Sequence, residues 1–192
     1  MSTPRAILFV DGENLTFRYQ EGLSSGQTPH SDVQHEADCF VWHPGMTTWS
    51  NFDLVRVCYY TSVVGDDSKV TELKRRMSKI TYRCRPEINS ELTGQLIPVV
   101  FKKSAKNQKT RNVDIQIVID IMRFALSDAI DLVYLASGDG DYLPLVSEVM
   151  RHGKQVYVAA FSSGLNEALT HTVDEFFNLD GVFFVPQGTN AG

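Results

Sequence analysis

The sequence predicts an α/β fold, an open parallel sheet with helices on both faces, and three observations carry that expectation. Continuous apolar runs at residues 6–10 and 132–136 suit strands buried on both sides. Strand-like runs alternate with stretches of helical spacing, as right-handed crossovers between parallel strands require. The two apolar runs end at Asp11-Gly12 and at Ser137-Gly138-Asp139-Gly140-Asp141. Such endings fall where a parallel sheet opens its ligand crevice.

Taken in order, the run at 6–10 is followed by Asn14, placed to cap a helix that begins over residues 14–19. Residues 22–51 carry Gly, Ser, Thr, His and Pro punctuation and predict an irregular insertion or lid, with one short strand at 39–42. A strand is expected at 54–60. Asp66, Asp67 and Ser68 then open a helix to about residue 80, with Val70, Leu73, Met77 and Ile80 apolar. Residues 97–101 read as a strand near a sheet edge, because Pro98 cannot donate to a ladder. Asn112 to about residue 126 reads as a helix burying Ile115, Val118, Ile119, Met122 and Leu126. After the strand at 132–136 come a helix at 142–152 closed by Gly153, a strand at 155–160, a short helix at 165–169 and a last strand at 182–185. No repeat interrupts this order, and 192 residues with 43% hydrophobic content suit one domain over 1–192.

Cys39, Cys58 and Cys84 are odd in number and lack CxxC spacing. They point to reduced thiols and a cytoplasmic protein, against a disulfide scaffold or a thiolate zinc site. The apolar run at 7–10 is too short for a signal peptide or a membrane span, so no membrane partner is expected. The net charge of −5 conceals a segregation: residues 69–111 hold 12 of the 18 Lys and Arg and carry +9, leaving −14 elsewhere. A basic segment just before Asp114 suits a polyphosphate backbone, with Lys102, Lys103, Lys106, Lys109 and Arg111 as RNA-binding candidates. A solvated helix face plus a polar loop is the plainer alternative.

Asp11, Asp114, Asp139 and Asp141 sit at strand ends or helix starts. Singly, each reads as a turn or a cap. Together at one crevice they repel one another unless a hard cation, Mg²⁺ or Mn²⁺, lies between them. Gly12, Gly138 and Gly140 let a ligand approach the backbone. A metal-dependent phosphodiesterase is therefore the leading reading, with Ser137 either orienting Asp139 or serving as a turn residue.

Other clusters weigh less. His30, His35, Cys39 and His43 fit no standard zinc spacing. Trp42, Trp49, Tyr59 and Tyr60 offer stacking faces for bases, although the tyrosines suit a strand core better. Asp120 lies about 240° round the helix from Asp114, and Asp174 reads as a cap. No nucleophile elbow, Walker or dinucleotide glycine pattern occurs.

Val10-Asp11-Gly12-Glu13-Asn14-Leu15, Arg111-Asn112-Val113-Asp114, the segment Leu135 through Tyr142 and Gly153-Lys154-Gln155-Val156 together resemble the NYN domain. This is the LabA-like branch of the PIN-domain-like nucleases, and the similarity runs in order over residues 5–180. The resemblance implies a Rossmann-like, PIN-like fold and endoribonuclease chemistry on RNA. It maps catalytic, metal-binding carboxylates onto Asp11, Asp114, Asp139 and Asp141, and a supporting polar role onto Asn14. Where the family often has Lys-Gly before Val-Asp, this chain has Arg111-Asn112, which keeps the charge; residues 22–51 exceed the family minimum. A non-catalytic RNA-binding or regulatory module on the same fold, and a metal-dependent phosphatase or Toprim-like enzyme, are the alternatives. DNA as substrate and a homo-oligomer stay open.

Overall fold

A computed structural model describes residues 3–48, 52–84, 92–105 and 111–186. Its centre is a six-stranded sheet whose pairings are all parallel. The strands are β1 (Arg5–Asp11), β4 (Asp53–Val64), β7 (Ile97–Lys103), β8 (Leu132–Ala136), β9 (Gln155–Ala160) and β10 (Glu175–Asn178). Their order is β10-β9-β8-β1-β4-β7. The chain thus builds outward from β1 through β4 to β7, then returns to the other side of β1 with β8. The reversal falls between β1 and β8, the place where open α/β sheets bind ligands beyond the strand ends.

Alternation along β1 decides which helices cover which face. Ala6, Leu8 and Val10 face one core with α1 (Gly12–Ser24), α2 (Asp67–Met77) and α6 (Asp180–Phe183). Ile7 and Phe9 face the other with α3 (Arg111–Leu126), α4 (Leu143–Arg151) and α5 (Glu167–Thr172). Strand β7 is an edge strand, as Pro98 requires. Gly153 adopts φ 74° after α4, the left-handed turn that ends a helix. No helix among the described residues is long and apolar enough to cross a membrane. The three cysteines are free and buried, and burial pushes the Cys39 and Cys58 thiols up to about 12 and about 11.

Several expectations need correction. Helix α1 is capped by Asp11, whose carboxylate accepts from the Asn14 N–H at 3.0 Å, and not by Asn14. Over residues 22–48 the expected insertion is no loose lid. Helix α1 extends into it, and β2 (Gln34–Glu36) pairs with β3 (Phe40–Trp42) in a hairpin that buries Val41, Trp42 and Met46. Trp42 is fully buried and cannot stack on a base, while Trp49 lies outside the described residues. Tyr59 and Tyr60 are core. A second hairpin, β5 (Thr81–Cys84) with β6 (Leu92–Gln95), was not foreseen.

Helix α3 buries Val113, Ile117, Ile121 and Ala125; Ile115, Val118, Ile119 and Leu126 are exposed. Isoleucines line both rows of this helix, so spacing alone does not choose between them. Burial at about 1.5–3 kcal/mol per large aliphatic side chain then fixes whichever row meets the sheet. Residues 182–185 are not a strand. Phe183 closes α6 and packs with Phe184 against Tyr19 and Phe161, and the sheet edge is β10 instead. A four-residue apolar run does not separate the two states.

Close packing also sets the start of α1. A Cβ on Gly12 would fall inside the Tyr59 ring and 2.6 Å from the Tyr60 carbonyl oxygen. The first turn of α1 therefore lies flush on β4, directly after the last residue of β1.

Candidate active site

Asp11 ends β1 and is almost wholly buried. Besides the Asn14 N–H, its carboxylate accepts from the Ser137 hydroxyl at 3.0 Å and from the Tyr142 hydroxyl at 3.4 Å. None of these partners is charged. Burial, followed by the fields of Asp114 and Glu13, pushes the Asp11 carboxyl up to about 7, against the lowering effect of its hydrogen bonds.

Asp114, in the first turn of α3, reaches the same tyrosine: Tyr142 Oη is 3.4 Å from Asp114 Oδ1. A phenol has one proton to donate, so it serves one of these two carboxylates at a time. Burial and the charges of Asp11, Asp114 and Asp139 hold the Tyr142 phenol above its usual range, so it stays protonated between them.

The turn after β8 brings in the third carboxylate. Ser137 is buried; its Oγ donates to Asp11 and accepts from the Asp139 N–H at 3.2 Å. The hydroxyl thus orients the carboxylate of Asp11, and touches Asp139 only at the backbone, where the sequence suggested Asp139 as its target. Asp139 Oδ1 accepts from the Asp141 N–H at 3.0 Å, capping a 3₁₀ turn over Gly140–Tyr142. Asn14 Oδ1 accepts from the Gly138 N–H at 3.3 Å, and the Asn166 N–H donates to the Gly138 carbonyl at 3.1 Å. Asp141 is exposed and joins the group through its backbone N–H.

The fold therefore gathers Asp11, Asp114 and Asp139 around Tyr142, with Asn14 and Ser137 in support and Asp141 at the margin. Among the described residues, no three acidic, histidine or cysteine side chains are grouped so that they could hold a metal ion. The donor set still fits a hard divalent cation: carboxylate oxygens around a buried acid that only neutral donors hold. His30 and His43 have ring centroids 6.0 Å apart, His35 packs edge-on against Tyr19, and no third ligand joins them in a metal-holding group among the described residues. Asp120 accepts from Tyr60 at 3.0 Å and pairs with Arg123, and Asp174 accepts from the Val156 N–H at 2.7 Å. Both stay apart from the site.

The basic segment is less free than its charge suggests. Arg75 pairs with Glu72, Arg76 with Glu36 and Lys102 with Asp67. Lys103 has a side chain only 8% exposed, and its Nζ lies 3.6 Å from Glu13 Oε1. Glu13 also accepts from the Ser62 hydroxyl. Lys103 is thus part of the rim beside Asp11 and not a surface track. Arg111 is exposed at the start of α3, while Lys106 and Lys109 lie outside the described residues. Sequence reasoning missed Tyr142 and the Glu13–Ser62–Lys103 group. Adjacency was the available signal, since Tyr142 follows Asp141 and Glu13 stands two residues after Asp11.

Comparison with known proteins bears on the fold and the family. No curated protein matches the chain. Among solved structures, a protein of unknown function from Vibrio parahaemolyticus RIMD 2210633 shares the fold with a TM-score of 0.59 and 16% identity. The match covers 95% of this chain and 97% of that one. The family model for the NYN domain, a PIN-like nuclease fold, matches residues 5–180, nearly the whole length. The chain belongs to the NYN domain family.

Proposed function

We propose that this protein is a divalent-cation-dependent ribonuclease, an endonuclease that hydrolyses RNA phosphodiester bonds at the crevice between β1 and β8. The observation that carries the reading is the convergence of Asp11 and Asp114, 103 residues apart in sequence, on one tyrosine hydroxyl at the switch point of the sheet. Membership of a PIN-like nuclease family supports it.

Asp11, Asp114 and Asp139 would hold Mg²⁺ or Mn²⁺, with Asp141 available from the margin. When bound, the ion supplies Lewis acidity toward a phosphate oxygen and acidifies water. The chain's own groups do the rest. Ser137 and the Asn14 N–H fix the Asp11 carboxylate, so its oxygens need little reorganisation. Tyr142 keeps a proton between Asp11 and Asp114 while the site is free of cation. Asn14 and Asn166 pin the turn that carries Asp139. Arg111 and Lys102, exposed at the start of α3 and at the end of β7, suit the phosphates of an RNA strand; Lys106 and Lys109 extend the same basic segment in sequence.

The test is incubation of the protein with single-stranded RNA and DNA, with Mg²⁺, Mn²⁺ or chelator, beside Asp139→Asn. Cleavage of RNA that needs the ion and is lost in the variant is the expected result. Metal-dependent cleavage retained by a clean preparation of Asp139→Asn would refute the assignment. Binding without cleavage favours the regulatory-module reading, and release of phosphate from monoesters the phosphatase reading.

A further inference from the structure

Beyond β4 the same rim holds a cavity of about 390 Å³, within the size range of small-ligand sites. Val63 and Val64 form its floor. They lie just past Tyr60, the residue of β4 that pairs with Asp11, so the cavity opens at the same end of the sheet as the carboxylates. Helix α2 and the turn between β2 and β3 make its walls. Lys103 lines it and also pairs with Glu13 at 3.6 Å, so a single ion pair separates it from the first turn of α1.

We propose that this cavity is a subsite for one nucleotide of the RNA strand, adjoining the scissile phosphate. The proposal rests on the ribonuclease reading and adds where the neighbouring base goes. The lining carries both signs, in part already paired: Arg76 with Glu36 and Glu72, and Lys103 with Glu13, beside Lys69 and Asp38. A nucleotide needs both, cations for its phosphate and paired acceptors and donors for the edge of its base. An apolar ligand has no use for either charge. Leu73 and Val63 supply the apolar contact that a base face requires.

Asp38 adds a second observation. It adopts φ 65°, the left-handed backbone that Asp and Asn enter in turns more readily than other L residues. Gln20 holds it there twice, accepting from the Asp38 N–H at 2.8 Å and donating to Oδ1 at 3.3 Å.

Ala37, exposed at the cavity, allows it to be filled without disturbing the core. Calorimetric titration of the full chain with the four 5′-ribonucleoside monophosphates, and with ribose 5-phosphate as the base-free probe, reads the subsite directly. At least one nucleotide is expected to bind ten-fold or more tighter than ribose 5-phosphate, with that advantage lost in Ala37→Trp and reduced at least three-fold in Arg76→Ala. Nucleotides binding no tighter than ribose 5-phosphate, or equally to wild type and to folded Ala37→Trp, overturn the proposal. In a parallel assay, Ala37→Trp should raise KM for a hexaribonucleotide about ten-fold and leave hydrolysis of bis(p-nitrophenyl) phosphate unchanged. If wild type cleaves neither substrate, the ribonuclease reading fails while the titration still decides the subsite.

Discussion

Two stretches of one rim treat buried acid in opposite ways. On the β8 side, Asp11 and Asp114 meet at the Tyr142 hydroxyl with the charge of Asp139 near by, and Asp11 rises toward neutrality. On the β7 side, Glu13 is held by Ser62 and answered directly by Lys103, itself nearly buried. Carboxylates some residues apart thus differ in whether the protein supplies their counter-charge. The difference teaches where an outside cation has work to do: beside Asp11, where the chain brings three acids and only neutral donors to hold the innermost, and not beside Glu13.

The largest expected effect breaks the first half of that contrast. Asp11→Asn should lower RNA cleavage by about 10³-fold or more, with the circular dichroism spectrum unchanged; a gel assay with Mn²⁺ checks it, and near-wild-type rates would discard the site. Next comes pH. The folded state raises the Asp11 carboxyl above its ordinary value, so it binds that proton more tightly than the unfolded chain does. Its contribution is complete below about pH 4 and is lost as pH rises through about 7, up to about 4 kcal/mol at 1.36 kcal/mol per unit. Without divalent ions, Tm should therefore fall by about 10 °C between pH 5 and 8. Millimolar Mn²⁺ should shrink that fall, and Asp11→Asn should remove it with no ion present. An identical fall in all three samples would mean the carboxyl is not raised.

Smaller effects sharpen the other half. Lys103→Met leaves Glu13 with a partly buried charge and no cation, costing about 2–3 kcal/mol in urea unfolding. Adding Glu13→Gln should recover most of that loss; independent, additive losses would show that the two do not act as a pair. Lys102→Ala breaks only an exposed pair with Asp67 and should change stability by less than about 0.5 kcal/mol. It should still flatten the salt dependence of RNA binding by about one unit of slope; an unaltered slope would remove Lys102 from the RNA path.

The sheet was legible because buried parallel strands are written as unbroken apolar runs, and residues 6–10 and 132–136 are such runs. Their ends placed Asp11 and Asp139 on one rim before any coordinates. Helix α3 shows where pattern fails: two isoleucine rows compete, and of the expected stripe only Met122 packs against the core while Ile115, Val118, Ile119 and Leu126 are exposed. The site itself held the remedy. A carboxylate at 114 that faces the crevice requires Ile117 and Ile121, three and seven residues on, to face the sheet, as they do. Tyr142 was marked only by its place next to Asp141, since its role depends on where α3 and the turn after β8 meet in space. Lys103 misled because a charge count does not register an acid 90 residues away in sequence.

The flush seating of Gly12 on β4 has a bearing on inheritance and on engineering. One added carbon there would lever the first turn of α1 off the Tyr59 ring and carry the neighbouring carboxylate with it. Position 12 bears no reactive atom, yet Gly12→Ala would present as a lesion of chemistry. Libraries that diversify only polar positions would pass over one of the most sensitive sites in the protein.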